Sequence, residues 1–115
     1  LTATPTSKTS GQPDLTAEEV QNYNYWFAKL DSENMVLGIR DECSYLVPSN
    51  VSYKNNTMVM LDNTRSAQIH TLKIGSTEYA LTAGGWRLVT LSSPAIPVNM
   101  QIFCRGIELG QIRLE

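Results

Sequence analysis

From Asn34 to its last residue the chain alternates apolar and polar residues with a period of two, which constrains the fold more than any other feature. The alternating stretches are short, are rich in Val, Ile, Leu and Thr, and lie at 35–40, 44–53, 57–63, 69–75, 78–83, 86–92, 98–104 and 109–115. Turn residues such as KNN, GS, GG and SSPAIP separate them. Seven or eight strands at this spacing predict an all-β, antiparallel two-sheet sandwich over residues 34–115.

The composition fits one compact domain. Of 115 residues, 42% are hydrophobic and 17% are charged, which is typical of a folded globular chain with a single core. The net charge of −2 argues against a nucleic-acid partner, which would require a basic face. No apolar run approaches the roughly 20 residues that cross a bilayer, so no membrane span is expected within the chain.

The first segment of the chain, residues 1–14, consists mostly of Thr, Ser, Pro and Gly. Such a segment cannot bury enough apolar surface to offset the entropy lost on ordering, so it is predicted to be a flexible tether. The sequence begins at Leu1 rather than at Met. We therefore expect a secretory signal or a membrane anchor upstream, although a trimmed chain would look the same.

Residues 15–33 are predicted to form a helical extension in front of the sandwich, with the helix itself at about 16–30. Thr16 is followed by two glutamates, and acidic residues in the first turn favour a helix N-terminus. Apolar residues at helical spacing then form one stripe, made by Val20, Tyr23, Phe27 and Leu30. Tyr25 and Trp26 lie beside this stripe.

The chain has two cysteines, Cys43 and Cys104, and one histidine, His70. In an exported protein two cysteines usually form a disulfide, whereas in a cytosolic protein they are more often buried thiols. A histidine followed by a cysteine near the end of a β chain is also how a blue-copper site begins. The residues alone leave these interpretations open.

Two sets of motif residues extend over residues 35–115. The first set contains an aromatic-x-x-Pro-Ser segment, an apolar strand ending in Asn and a histidine: Tyr45, Pro48, Ser49, Val51, Tyr53, Val59, Leu61, Asn63 and His70. The second set ends in a G-x-I-x-L strand: Leu81, Gly84, Val89, Leu91, Cys104, Gly110, Ile112 and Leu114. Together they resemble a plastocyanin-type cupredoxin. The resemblance implies an antiparallel Greek-key sandwich, to which one short N-terminal helix is added here.

The copper site of that family is incomplete in this chain. The resemblance implies two ligands, His70 and Cys104, and a second His and a Met soon after the Cys. The corresponding loop, CRGIELG, contains neither residue, and the chain has no other histidine. Glu108 offers a carboxylate, a hard ligand that suits such a site poorly. We predict that no metal is bound, with copper at His70, Cys104 and Glu108 as the alternative.

The resemblance places Cys43 in the turn after the first strand, at the same end of the sandwich as the metal site. Cys104 alternates with Val98, Met100 and Ile102 onto the inward face of its strand. We expect a Cys43–Cys104 disulfide to replace copper at this end and to close a loop of about 60 residues. Since a disulfide sulfur is no longer a thiolate, the bridge and a metal exclude each other. Otherwise Cys104 is a buried thiol.

No catalytic arrangement is predicted. A Ser–His or Cys–His pair would have to use His70, and Cys104 faces inward. His70 is interpreted as a histidine at the surface or the end of the sandwich that makes a hydrogen bond. Asp41 and Glu42 are adjacent and would point to opposite faces of a strand, so they are interpreted as solvated charges.

The helical extension is rich in aromatic residues, namely Tyr23, Tyr25, Trp26 and Phe27. These four residues are the predicted partner-binding residues, since Tyr and Trp are favoured interface anchors. One face of the helix is also expected to pack on the sandwich. The predicted function is a non-catalytic structural or interaction subunit of a larger assembly. That assembly is expected to be exported, either periplasmic or extracellular and associated with a membrane or cell surface. A carbohydrate- or ligand-binding sandwich that uses Trp26 and Trp86 is a further alternative.

Overall fold

The computed structural model of the chain describes residues 17–115. Within that range one helix, α1 (Ala17–Asp31), precedes nine strands. The strands are β1 (Val36–Arg40), β2 (Tyr45–Val47), β3 (Asn50–Tyr53), β4 (Thr57–Asp62), β5 (His70–Ile74), β6 (Thr77–Leu81), β7 (Trp86–Leu91), β8 (Val98–Cys104) and β9 (Ile107–Leu114). The predicted tether at 1–14 and the predicted start of the helix at Thr16 lie outside the described residues.

The strands form two sheets, and both sheets are mixed. The four-stranded sheet has the order β2-β1-β4-β7, and the five-stranded sheet has the order β3-β9-β8-β5-β6. β1 runs parallel to β4 and β3 runs parallel to β9, whereas the remaining neighbours are antiparallel. The prediction of an all-β sandwich is confirmed. The prediction that it is antiparallel, with Greek-key connections, is wrong.

The parallel pairs arise where the chain changes sheets. The stretch predicted as one strand at 44–53 is two strands, β2 and β3, which belong to different sheets. Pro48 lies between them and has no N–H to donate to a strand ladder. The chain turns back after β1 to form β2, continues as β3 in the other sheet, and reverses once more into β4. Two reversals bring β4 back in the direction of β1.

Gly110 marks a close approach between β9 and the segment that precedes β3. A Cβ atom on Gly110 would lie 1.8 Å from the carbonyl oxygen of Ser49. That oxygen also accepts a hydrogen bond from the backbone N–H of Gln111 at 2.9 Å. The position therefore requires glycine because the neighbouring backbone leaves no space for a side chain.

We expect Gly110→Ala to lower the free energy of unfolding by about 2 kcal/mol, since an added methyl has to push strand backbones apart. Gly106→Ala is the matched control. A Cβ at Gly106 meets nothing within 4 Å, and its φ of +76° leaves only a backbone cost of about 1 kcal/mol. Urea denaturation of both variants measures the difference. An equal or smaller loss for Gly110→Ala would contradict the steric explanation.

The main core lies between the two sheets and is made mostly of inward-facing aliphatic side chains. The first sheet contributes Leu37, Ile39, Leu46, Val59, Leu61, Val89 and Leu91. The second contributes Tyr53, Leu72, Ile74, Leu81, Ile102, Ile112 and Leu114. Cys43 and Cys104 belong to the same cluster, so the end of the sandwich that carries the cysteines is continuous with its core.

A second core lies on the outer face of the four-stranded sheet, where α1 packs. Its buried members are Leu30, Val36, Met60, Trp86 and Leu88. Partly buried residues pack against them, among them Tyr23, Trp26 and Phe27 of the helix. This sheet is therefore covered on both faces, which explains why β1 is buried almost throughout. Among residues 17–115, no helix has both the length and the apolar character needed to cross a membrane.

Candidate functional site

A disulfide joins Cys43 and Cys104 at one end of the sandwich, as predicted. Cys43 lies in the turn after β1 and Cys104 is the last residue of β8. Their Cα atoms are 6.2 Å apart, within the normal range for a bridge. Each residue is only 1% exposed. The bridge therefore links the two sheets through the core.

The turn that presents Cys43 has an unusual backbone. Asp41, Glu42 and Cys43 have φ values of 50°, 50° and 71°, in the left-handed region that residues with a Cβ rarely adopt in succession. Ser44 closes the turn, because its N–H donates to the carbonyl of Arg40 and its hydroxyl donates to the carbonyl of Asp41. A run of three such residues persists only where the surroundings hold it. The bridge at Cys43 is one restraint.

Glu42 supplies the second restraint through His70. The Nε2 atom of His70, the first residue of β5, lies 2.9 Å from Oε1 of Glu42. A carboxylate only accepts, so the ring N–H donates to it. The other carboxylate oxygen accepts from the backbone N–H of Ala67 at 2.9 Å. The Glu42 side chain thus connects the turn after β1 to the loop before β5. His70 makes the hydrogen bond that was expected of it, and it is buried, with 3% of its surface exposed.

A third loop reaches the same turn. Arg105 and Gly106, both with positive φ, connect β8 to β9 as a two-residue turn. The guanidinium of Arg105 donates to the carbonyl oxygen of Glu42 at 2.6 Å. Both the carboxylate and the carbonyl of Glu42 are therefore engaged. With 36% of its side chain exposed, Glu42 is accessible to solvent as interpreted, but it also makes specific hydrogen bonds that this interpretation does not include.

Cys43, His70 and Cys104 together form a cluster of potential ligands. One atom from each, two sulfurs and one ring nitrogen, lies within 4.8 Å of the other two, and all three residues are buried. Glu108, the third ligand of the copper alternative, is exposed on β9 opposite Phe103. It is not a member of this cluster. Within the described residues, the carboxylate nearest to the cluster's histidine is that of Glu42 instead.

The contacts of Glu42 lower the pKa of its carboxyl group below the usual 4.5. The hydrogen bond from the Ala67 N–H is the larger cause and the bond from His70 is the next. A carboxyl whose pKa is lower in the folded state stabilises the fold above its unfolded pKa. That contribution is lost as the pH falls through the folded pKa.

We therefore expect Glu42→Gln to be less stable than the wild type near neutral pH, with a difference that shrinks as the solution is acidified. Denaturant unfolding across an acid pH series measures this. Glu108→Gln is the control, since it removes an exposed carboxylate outside the cluster and should show no such pH dependence. A wild-type–Glu42→Gln difference that does not change with pH would rule out the electrostatic cause.

The helix aromatics divide into docked and exposed residues. The ring of Tyr23 lies 5.5 Å from that of Phe27 and 5.9 Å from that of Trp86. Its hydroxyl donates to Oδ2 of the buried Asp62 at 2.7 Å. Burial and this bond raise the pKa of Tyr23. Tyr23 and Phe27 thus attach α1 to the sandwich, so these two of the four predicted partner-binding residues contact the chain's own sheet.

Tyr25 lies on the other side of α1, with 58% of its surface exposed. It packs edge-on against Trp26 with a centroid separation of 5.1 Å, and the Lys29 ammonium lies 5.8 Å from each ring. Trp26 is partly buried in the second core. Trp86, offered with Trp26 for carbohydrate binding, is fully buried and cannot meet a ligand at the surface, so that interpretation of Trp86 is wrong.

No protein-family model matches the chain, and no curated protein matches it. The cupredoxin resemblance therefore depends on the motif residues of this chain alone. The end of the sandwich holds a buried disulfide, a buried imidazole beside it, and a carboxylate that is hydrogen-bonded to the imidazole.

Proposed function

We propose that the chain is a non-catalytic, metal-free cupredoxin-like domain that serves as a structural or interaction subunit of a larger exported assembly. The observation that carries this proposal is the disulfide between Cys104 and Cys43 beside His70. In a cupredoxin the corresponding cysteine would be a copper thiolate. A sulfur in a disulfide has no free thiolate for copper, and the bridge itself now joins the two sheets.

The state of His70 supports a non-catalytic role. It is the one histidine of the chain, and its Nε2 atom is bonded to Glu42. Cys104, the buried sulfur beside it, is bridged and so cannot act as a nucleophile. The pair therefore stabilises the end of the sandwich rather than activating a reacting group.

The proposed location is outside the cytosol, in a periplasm or at a cell surface. Structural disulfides persist in oxidising compartments and are rare where thiols are kept reduced. The bridge is buried and closes a loop between residues 61 positions apart. A buried bridge that closes so long a loop is typical of a structural disulfide, which gives modest support for an exported protein.

The proposed partner surface is the exposed side of α1 around Tyr25, Trp26 and Lys29. Tyr25 is about half exposed and packs against the ring of Trp26 and the ammonium of Lys29, so this surface offers both apolar area and hydrogen-bonding groups. Such residues are enriched among the anchors of protein interfaces. We propose that this surface, and not the inward face with Tyr23 and Phe27, contacts a neighbouring subunit of the assembly.

The rival function is copper binding and electron transfer through His70 and Cys104, with Glu108 as a further ligand. The observation in its favour is the proximity of His70 to two sulfurs. The two functions are distinguished by the intact mass of protein purified from its native compartment, measured after alkylation with and without prior reduction. If two alkyl groups add only after reduction, the cysteines are joined in a disulfide, which supports the metal-free structural role. Direct alkylation followed by intense visible absorption with Cu(II) would establish the rival.

Partner binding is tested by cross-linking in the native membrane or extracellular fraction. The wild type is compared with Tyr25→Ser and with Tyr45→Ser, a control that removes another half-exposed tyrosine from β2. We expect a discrete cross-linked species that disappears with Tyr25→Ser and persists with Tyr45→Ser. A wild type that stays monomeric and uncross-linked under every condition would exclude the proposed subunit role.

A further inference from the structure

We propose that reduction of the Cys43–Cys104 disulfide creates a binding site for a thiophilic closed-shell cation of the Zn²⁺ type. Its ligands are the two thiolates and the imidazole of His70. This inference goes beyond the structural role of the oxidised chain and does not depend on it. The same three residues serve as a staple when oxidised and as a metal site when reduced.

The spacing of the three donor atoms carries the proposal. The two sulfurs and one ring nitrogen of His70 lie within 4.8 Å of one another, and all three residues are buried. Around a tetrahedral Zn²⁺ ion, the donor atoms lie about 3.5–3.8 Å apart, given bonds of about 2.3 Å to sulfur and 2.0 Å to nitrogen. Once the S–S bond is broken, the sulfurs have to separate by less than about 2 Å to reach that spacing.

The orientation of His70 is that of a metal-ligating imidazole. Metal-bound histidines almost always donate their other ring N–H to a carboxylate or a carbonyl, which fixes the ring and the tautomer. Glu42 accepts from Nε2 here, and the N–H of Ala67 in turn holds Glu42. With Nε2 donating to Glu42, we infer that Nδ1 is the nitrogen that binds the cation.

The ligand set selects the class of cation. Two thiolates and one imidazole suit Zn²⁺, whereas Mg²⁺ and Ca²⁺ prefer sets of oxygen atoms. Three protein ligands leave the fourth position of a tetrahedral ion to water, as in zinc sites that are not purely structural. Glu108, which is exposed and outside the cluster, takes no part.

The switch requires a dithiol reductant. One thiolate of the dithiol attacks a sulfur of the bridge to form a mixed disulfide and releases one cysteine thiolate. The second thiol of the reductant then displaces the other cysteine, so the reductant leaves as a disulfide and the chain keeps two thiols. Binding of Zn²⁺ displaces the two thiol protons and forms two Zn–S bonds. Reoxidation by a disulfide reverses these steps and releases the ion.

The bound cation would replace the bridge as a restraint. Reduction frees Cys43, whose turn has three successive residues with positive φ and therefore tends to relax. A cation held by both sulfurs closes the same loop again. Metal binding is thus coupled to order in the turn, and the reduced chain without metal is the least ordered of the three forms.

The test uses the full chain, reduced with a phosphine under anaerobic conditions, and Zn²⁺ alone as the probe. Competition with a chromophoric chelator gives the stoichiometry and the affinity. Amide spectra report whether the sandwich is folded. We expect one Zn²⁺ per reduced chain, none per oxidised chain, and a native-like spectrum for the zinc complex.

Variants show which residues bind. Cys43→Ser and His70→Gln should each lose the site, and Glu42→Gln should weaken it about 10–100-fold by releasing the imidazole. Glu108→Gln should bind Zn²⁺ like the wild type. The contrast between Glu42→Gln and Glu108→Gln separates positioning of His70 from a general effect of carboxylate charge.

Three results would overturn the proposal. The first is a folded reduced chain that takes up no Zn²⁺. The second is a reduced chain that is unfolded and stays unfolded with Zn²⁺. The third is uptake that is unchanged in His70→Gln or in denaturant, which would show chelation by two thiols without the fold.

Discussion

The double variant Cys43→Ala/Cys104→Ala is expected to lose at least about 4 kcal/mol of unfolding free energy. The bridge closes a loop between residues 61 positions apart, and the chain-entropy model assigns this value to a loop of that length. Both residues are 1% exposed in the main core, so removal of the sulfurs also leaves unfilled space. Since domains of this size are stable by about 5–15 kcal/mol, the variant would be marginal.

Guanidinium denaturation with and without a reductant measures this effect. The reductant should destabilise the wild type strongly, because it removes the bridge while the sulfur atoms remain in place. It should leave the double variant unchanged. The difference between the reduced wild type and the double variant then isolates the packing of the two sulfurs. A reductant that left the wild type as stable as before would mean that the bridge contributes little.

The alternation of the sequence predicts the sandwich because most strands have one face in the main core. β5 follows the pattern closely, with buried His70, Leu72 and Ile74 and exposed residues between them. The pattern does not reveal which sheet a strand joins. It continues through Pro48, so 44–53 looks like one strand and the change of sheet is missed. The two parallel pairs depend on this change, which is why the antiparallel prediction fails.

The candidate site was only partly visible in the sequence. The Cys43–Cys104 pairing came from the resemblance, and the core position of Cys104 agrees with its place in the alternation of β8. The sequence does not indicate the role of Glu42, because strand geometry would point Asp41 and Glu42 to opposite faces. The left-handed turn at 41–43 ends that geometry and directs the carboxylate to His70. No local sequence pattern predicts such a turn, because none of its three residues is glycine, the residue that usually adopts positive φ.

The same limit applies to the helix. Its apolar stripe predicts a buried face, and Tyr23, Phe27 and Leu30 do pack on the four-stranded sheet. What the stripe cannot show is the surface that receives it. That surface is centred on Trp86. The alternation predicts that Trp86 lies on a strand, but it does not predict that the outer face of this sheet is covered by the helix. The burial of Trp86 is therefore a property of the assembled layers.

Trp86→Ala is expected to lower the unfolding free energy by about 3–5 kcal/mol. Trp86 is fully buried in the second core, and its ring contacts that of Tyr23 at 5.9 Å. A 15-residue helix is marginal in water without such packing. We expect the amides of α1 to exchange with solvent much faster in this variant, while those of β5 and β8 lose less protection. Hydrogen exchange and urea denaturation measure both effects.

Trp86→Phe distinguishes the packing of this ring from its polar group. The indole Nε1 atom is buried with no hydrogen-bond partner among the described residues, which is unfavourable for an N–H donor. Phenylalanine keeps much of the apolar contact and removes that donor, so we expect a smaller loss than for Trp86→Ala, and a protected α1. Equal losses for Ala and Phe would instead show that Nε1 makes an essential contact. Helix protection that survives Trp86→Ala would show that Tyr23 and its bond to Asp62 hold α1 without the tryptophan.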